Sequence, residues 1–165
     1  AVWLGANLAT AFLASQVVGL FSEALSQVVA LAVLMPIVAS MGGIGGSQTL
    51  TLMIRGLSLG QIGFANARAL LAKELAVALI NGILWGVVVG GIALVWFGNI
   101  TLGLIMAAAL VLNQLNAAIT GVAIPLAMKK MGIDPALAGS VVLTTFTDVV
   151  GFAAFLGLGT LFLMH

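Results

Sequence analysis

With five basic and four acidic side chains among 165 residues, 63% of them hydrophobic, and a mean hydropathy of +1.33, the chain is too poor in charge for a water-soluble surface. An ordinary soluble domain carries about 25% charged residues. The absence of Cys excludes disulfides and thiolate metal ligation, and a net charge of +1 offers no basis for binding nucleic acid.

Long unbroken apolar runs, 21 Gly and no Tyr point to an all-α integral membrane protein in a lipid bilayer, not a porin-type barrel with aromatic girdles. Five transmembrane helices are expected. The first covers about 2–22 and starts without a basic n-region, so it reads as a mature span rather than a signal peptide. A second, 26–57, is interrupted by Pro36 and by four glycines within 42–46, followed by Ser47, Gln48, Thr49 and Thr51. Such a Pro/Gly-broken helix marks either a transport path or close helix packing. A third span runs 73–97, with Asn99 at the turn after it. A fourth runs 102–131 and contains Pro125. The last starts at Asp134-Pro135, an N-cap and a first-turn proline, and ends at His165.

Basic residues set the expected orientation. Arg55, Arg68 and Lys73 follow span two, and Lys129 and Lys130 follow span four. With five spans both groups share one side, which the positive-inside rule makes cytoplasmic. The N-terminus is then cytoplasmic and His165 lies outside.

The four acids differ in setting. Asp134 caps a helix. Glu74 is expected at a cytoplasmic helix start, on the positive end of the dipole. Glu23, near the outer end of span one, is either a solvated interfacial carboxylate or a cation attractor at an outer mouth. Asp148 stands fourteen residues after Asp134, about 20 Å along the helix and near mid-membrane. A charge there costs about 2.5–3.5 kcal/mol on insertion scales, so the side chain must face protein or water. Ser140, Thr144 and Asp148 recur at i, i+4, i+8 and form one polar stripe. The alternative is an Asp held by Thr hydroxyls. In span four Asn113, Asn116 and Thr120 recur likewise, with Gln114 beside them, either lining a path or joining helices by hydrogen bonds. An oxygen-only set with no Cys and no membrane His suits Mg²⁺, Ca²⁺ or Mn²⁺. One carboxylate per chain, doubled by a two-fold axis, suits hydrated Mg²⁺ and favours a homodimer.

Three segments resemble the membrane domain of the MgtE magnesium channels. Pro36-Ile-Val-Ala-Ser-Met-Gly-Gly-Ile-Gly-Gly-Ser-Gln48, continuing to Ile54-Arg55-Gly56-Leu57, is similar to the family's Pro-x₅-Gly-Gly-Asn-x-Gly-Asn-Gln…Ile-Arg-Ala-Leu. Met131-Gly132-Ile133-Asp134-Pro135-Ala136-Leu137 resembles Leu-Gly-Val-Asp-Pro-Ala-Leu, and Thr145-Phe146-Thr147-Asp148-Val149-Val150-Gly151 resembles Thr-Leu-x-Asp-Val/Thr-x-Gly. Phe21-Ser22-Glu23 is similar to the family's Phe-Glu near the end of its first helix.

The resemblance implies that residues 1–165 are one transmembrane pore-forming domain, a homodimer with its pore between subunits, and not an enzyme. It implies a central Mg²⁺ site at Asp148, with Ser140 and Thr144 lining the pore, Gly43, Gly46, Ser47 and Gln48 in the broken-helix segment, and Glu23 at the outer mouth. Asn113 and Asn116 remain open between lining and packing. Ile44 and Ser47 replace two family Asn residues, and Ser140 replaces a third in many members, which admits Mn²⁺ or Co²⁺ as cargo. The family's cytoplasmic sensing domains have no counterpart in these residues: either this is an isolated membrane domain, with a cytoplasmic regulatory domain or subunit as its partner, or gating works some other way. An H⁺- or Na⁺-coupled exchanger, and a non-transporting subunit anchoring a partner, are the competing functions.

Overall fold

The computed structural model describes residues 2–63 and 65–164. His165, expected at the outer end, lies outside the described residues. Among these, six helices and no strand occur: α1 (Val2–Gly19), α2 (Ser22–Gln27), α3 (Val29–Ser58), α4 (Ala67–Phe97), α5 (Ile100–Lys130) and α6 (Pro135–Leu163). All but α2 are long and apolar enough to cross a membrane.

Three features of the helices depart from the sequence expectation. The first span ends at Gly19, and Ser22 and Glu23 open a separate short helix. The expected break in the second span is corrected: α3 is one helix from Val29 to Ser58, with Pro36 inside it. Its glycines serve contact instead. A Cβ on Gly42 would strike the Asn113 amide, one on Gly45 the Gln114 amide, and one on Gly46 would come within 2.9 Å of Leu143. The third correction is α4, which begins at Ala67 rather than Lys73. Good helix formers such as Ala67, Arg68, Leu70 and Leu71 extend it beyond the apolar run. The turn before it is held by Asn66, which accepts from the Gly63 N–H at 2.8 Å and donates to the Gln61 carbonyl at 2.8 Å.

The later termini match their signals. Asn99 caps α5 by accepting from the Leu102 N–H at 3.1 Å. Asp134 caps α6 by accepting from the Ala136 N–H at 2.9 Å, with Pro135 at the first helical position.

Small residues decide who packs on whom. Gly82, Gly86 and Gly90 lay one face of α4 against Val111, Ala107 and Gly103 of the antiparallel α5, the close approach typical of membrane helices. α5 is central and packs on α3, α4 and α6, while α4 touches α3 only sparsely. α3 runs parallel to α5, with Thr49 on Gly121, and antiparallel to α6, with Leu31 on Gly159, Gly46 on Leu143 and Leu50 on Gly139. The apolar core gathers Leu31, Leu34, Val38, Met106, Leu110 and Phe155. This topology brings Arg55, Arg68, Lys73, Lys129 and Lys130 toward one end of the bundle.

Candidate functional site

The middle of α3 and the middle of α6 face one another across an open groove of about 770 Å³. Asp148 and Thr144 line it from α6; Ser40, Gly43, Ile44, Ser47, Gln48 and Thr51 line it from α3. Both walls owe their polarity to helical spacing. On α3, positions 40, 44, 47 and 51 fall on one face, as do 144 and 148 on α6. The groove side is not sealed by the subunit itself: Ser40, Gln48 and Thr51 are exposed, and Ile44 is 58% exposed.

Asp148 is half-buried and also borders a second recess of about 350 Å³, shared with Ala11, Ala14, Ser15 and Val18 of α1. The neighbouring hydroxyls do not hold it. Thr144 Oγ1 donates to the Ser140 carbonyl at 3.0 Å, Thr145 Oγ1 to the Val141 carbonyl at 2.8 Å and Thr147 Oγ1 to the Thr144 carbonyl at 3.1 Å. Each hydroxyl proton is spent on its own helix, and of the three only Thr144 lines the groove, where its oxygen can act as an acceptor. The carboxylate therefore faces water-accessible space at mid-helix beside oxygen acceptors, an arrangement suited to a hydrated cation. Among the described residues no three His, Cys, Asp or Glu side chains converge, so one subunit supplies no protein cage for a dehydrated metal ion.

Asp148, Thr144, Gly43, Ser47 and Gln48 thus share the groove, whereas five other sequence candidates stand elsewhere. Gly46 is buried against Leu143, Ser140 is exposed one turn before Thr144, and Glu23 sits on α2, exposed, near Gln27 Nε2 at 3.4 Å. Asn113 is fully buried and donates to the Val38 carbonyl at 2.9 Å; Asn116 donates to the Phe146 carbonyl at 3.2 Å. Ser40 belongs to the groove but escaped the sequence reading, although its spacing to Ile44, Ser47 and Thr51 marks the stripe. The placement of Glu74 at a helix start is corrected. It lies on the eighth residue of α4, is 8% exposed, and accepts from Thr49 Oγ1 at 2.8 Å.

The family model for the MgtE divalent cation transporter matches residues 35–158, which take in the whole of the groove. The chain belongs to the MgtE family. It is 32% identical over 161 residues to the magnesium transporter MgtE of Bacillus subtilis, and 30% identical over 161 residues to that of Thermus thermophilus. The alignment covers 98% of this chain in both cases, and the MgtE of Enterococcus faecalis is 28% identical over 96% of it. The chain spans only about a third of the length of these relatives, 36%, 36% and 34% respectively. With five helices long and apolar enough to cross a bilayer, this member of the family is a multi-pass membrane protein.

Proposed function

We propose that the chain forms, as a homodimer, a pathway for hydrated Mg²⁺ between its two subunits. The observation that carries this is Asp148: an acid at the midpoint of a membrane helix, opening into a groove of hydroxyl and amide oxygens that a single subunit leaves unsealed. Polar side chains such as Ser40, Gln48 and Thr51 are poor surfaces for lipid, and a second copy placed groove to groove would cover them. Two Asp148 carboxylates would then neutralise one divalent ion that keeps its waters, the mode in which Mg²⁺ is commonly bound. The relatives' name, magnesium transporter, supports the same cargo. Mn²⁺ and Co²⁺ are expected as secondary cargoes because Ile44 and Ser47 line the groove without the Asn amides of the family pattern.

Orientation follows from charge. The end of the bundle carrying the basic residues faces the cytoplasm, the N-terminus with it, and Glu23 stands at the outer mouth.

The decisive measurement is Mg²⁺ uptake into liposomes reconstituted with the wild-type chain or Asp148→Asn, with Mn²⁺ and Ca²⁺ as competitors. Uptake should drop by tenfold or more in the variant while the dimer persists in detergent. Equal uptake by both proteins overturns the role of Asp148. A flux that follows an imposed pH or Na⁺ gradient identifies an exchanger instead.

A further inference from the structure

Behind α3, on the face away from the Asp148 groove, lies a cavity of about 270 Å³ between α3, α4 and α5. Gly45, Ala78 and Ala118, one small residue from each helix, leave the space. Around it stand polar groups: Thr49 and Gln48 from α3, Glu74 and Asn81 from α4, and Gln114 from α5, whose amide nitrogen also ties α5 to the Met41 carbonyl of α3. Glu74 is more than nine-tenths buried. Its Oε2 accepts from Thr49 Oγ1, and no cationic side chain lies within ion-pairing distance of it among the described residues. Lys73 borders the same cavity with its side chain exposed, so its ammonium can reach outward to the interface. Gln48 and Leu52 border both this cavity and the groove.

We propose that Glu74, Thr49, Asn81 and Gln114 form a second binding site for a hydrated divalent cation, separated from the Asp148 groove by the Gln48–Leu52 wall. The proposal rests on the divalent-cation reading of the chain and adds a site to it. A buried carboxylate without a counter-charge is costly, and a cation in the adjoining cavity compensates it. The donors are oxygens throughout, the set that selects hard ions. At about 30 Å³ per water the cavity has room for roughly nine waters, enough for an ion that keeps most of its hydration shell. Thr49 donates its proton to Glu74, so its oxygen keeps acceptor capacity. Because Gln48 forms part of both linings, occupancy here acts on the wall of the proposed pathway.

Mn²⁺ serves as the probe, titrated into the purified chain in detergent while free Mn²⁺ is followed by electron paramagnetic resonance. Asp148→Asn should retain a saturable class of bound Mn²⁺, and adding Glu74→Gln should weaken that class at least tenfold. Lys73→Gln should tighten it several-fold, because it removes a positive charge bordering the cavity that repels the divalent ion. If Asp148→Asn alone abolishes saturable binding, or if Glu74→Gln leaves the remaining class unchanged, the second site is refuted. Should Glu74→Gln fail to purify as a single species, Asn81→Ala and Lys73→Gln decide in its place, and unchanged affinity in both refutes the site. A merely structural Glu74 would lower the metal-free melting temperature yet leave the Mn²⁺-induced rise of the Asp148→Asn protein intact. Loss of Mg²⁺ flux in Asp148→Asn is read separately, so failure of the pathway and failure of the second site are told apart.

Discussion

Asn113 donates its amide N–H to the Val38 carbonyl at 2.9 Å, and its flat amide lies where a Cβ on Gly42 or on Gly151 would have to stand. One side chain of α5 thereby draws α3 and α6 against the central helix just behind the groove. Gln114 repeats the contact one residue on, donating to the Met41 carbonyl at 3.2 Å. The two amides tie the glycine-rich stretch of α3 to α5 and hold Gly43 and Ser47 on the groove side. Among the described residues Asn113 Oδ1 is buried without a partner, so the contact costs part of what it gains.

Gly42→Ala should destabilise the protein by about 1–3 kcal/mol, the usual cost of forcing extra atoms into a packed interior. The added methyl meets the Asn113 amide, so Asn113→Ala should relieve part of the penalty. A double-mutant cycle in thermal melting checks this, with a coupling energy of opposite sign to the single losses expected. Additive losses would place the clash elsewhere.

Gly90 and Gly103 meet backbone to backbone: a Cβ on Gly90 would stand 2.6 Å from the Gly103 carbonyl oxygen, and one on Gly103 would stand 2.7 Å from that of Gly90. Backbone cannot swing aside as a side chain does. Gly90→Val should therefore separate α4 from α5 and lower the melting temperature more than Gly91→Val, since Gly91 has open space at its Cβ. Equal losses from the two variants would contradict the α4–α5 packing described above.

Asp134→Ala removes the acceptor for the Ala136 N–H and should cost about 1 kcal/mol, the typical value of an N-cap. Asp134→Asn keeps the acceptor and should restore most of it, as read by thermal unfolding in detergent. No loss of Mg²⁺ selectivity is expected from either, because Asp134 lies at the end of α6 and Asp148 at its middle.

The absence of Cys makes the chain a clean background for cross-linking. Ile44→Cys, on the exposed groove face of α3, should be joined into dimers by a short bis-maleimide at low protein concentration. Ile80→Cys, 66% exposed on α4, should not. Reversed yields would move the subunit contact from the groove to α4 and overturn the proposed dimer.

Much of this was legible in the residues. Unbroken apolar runs announced five long helices, because a segment that must bury its own backbone hydrogen bonds in lipid has few other choices. Asp134-Pro135 located the start of α6 through chemistry confined to a single turn, and Asn99 marked the turn before α5. Asp148 stood out because a charge amid some thirty apolar-rich residues has no cheap explanation. The glycine cluster misled: a run of glycines is equally compatible with a break and with close packing, and only the side chains arriving from α5 and α6 distinguish them. Glu74 misled for a related reason. The start of α4 was set six residues late, at the edge of the apolar run, so a residue inside the helix was placed at its solvated end.

What the sequence determined by itself was therefore the membrane-helix class, the number of long spans, the Asp134 cap, and the depth of Asp148 along its helix. Tertiary structure alone decided which polar residues share a space. Asp148, Thr144, Ser47 and Gln48 meet in one groove, while Asn113 and Asn116 turn to neighbouring carbonyls and Glu74 is buried with Thr49 behind α3. The physical reason is that helical periodicity gives each residue an angle on its own helix, but not the partner that angle faces. That partner is chosen by the fit of small residues such as Gly42, Gly46 and Gly90 between whole helices, a property of pairs of segments far apart in the chain.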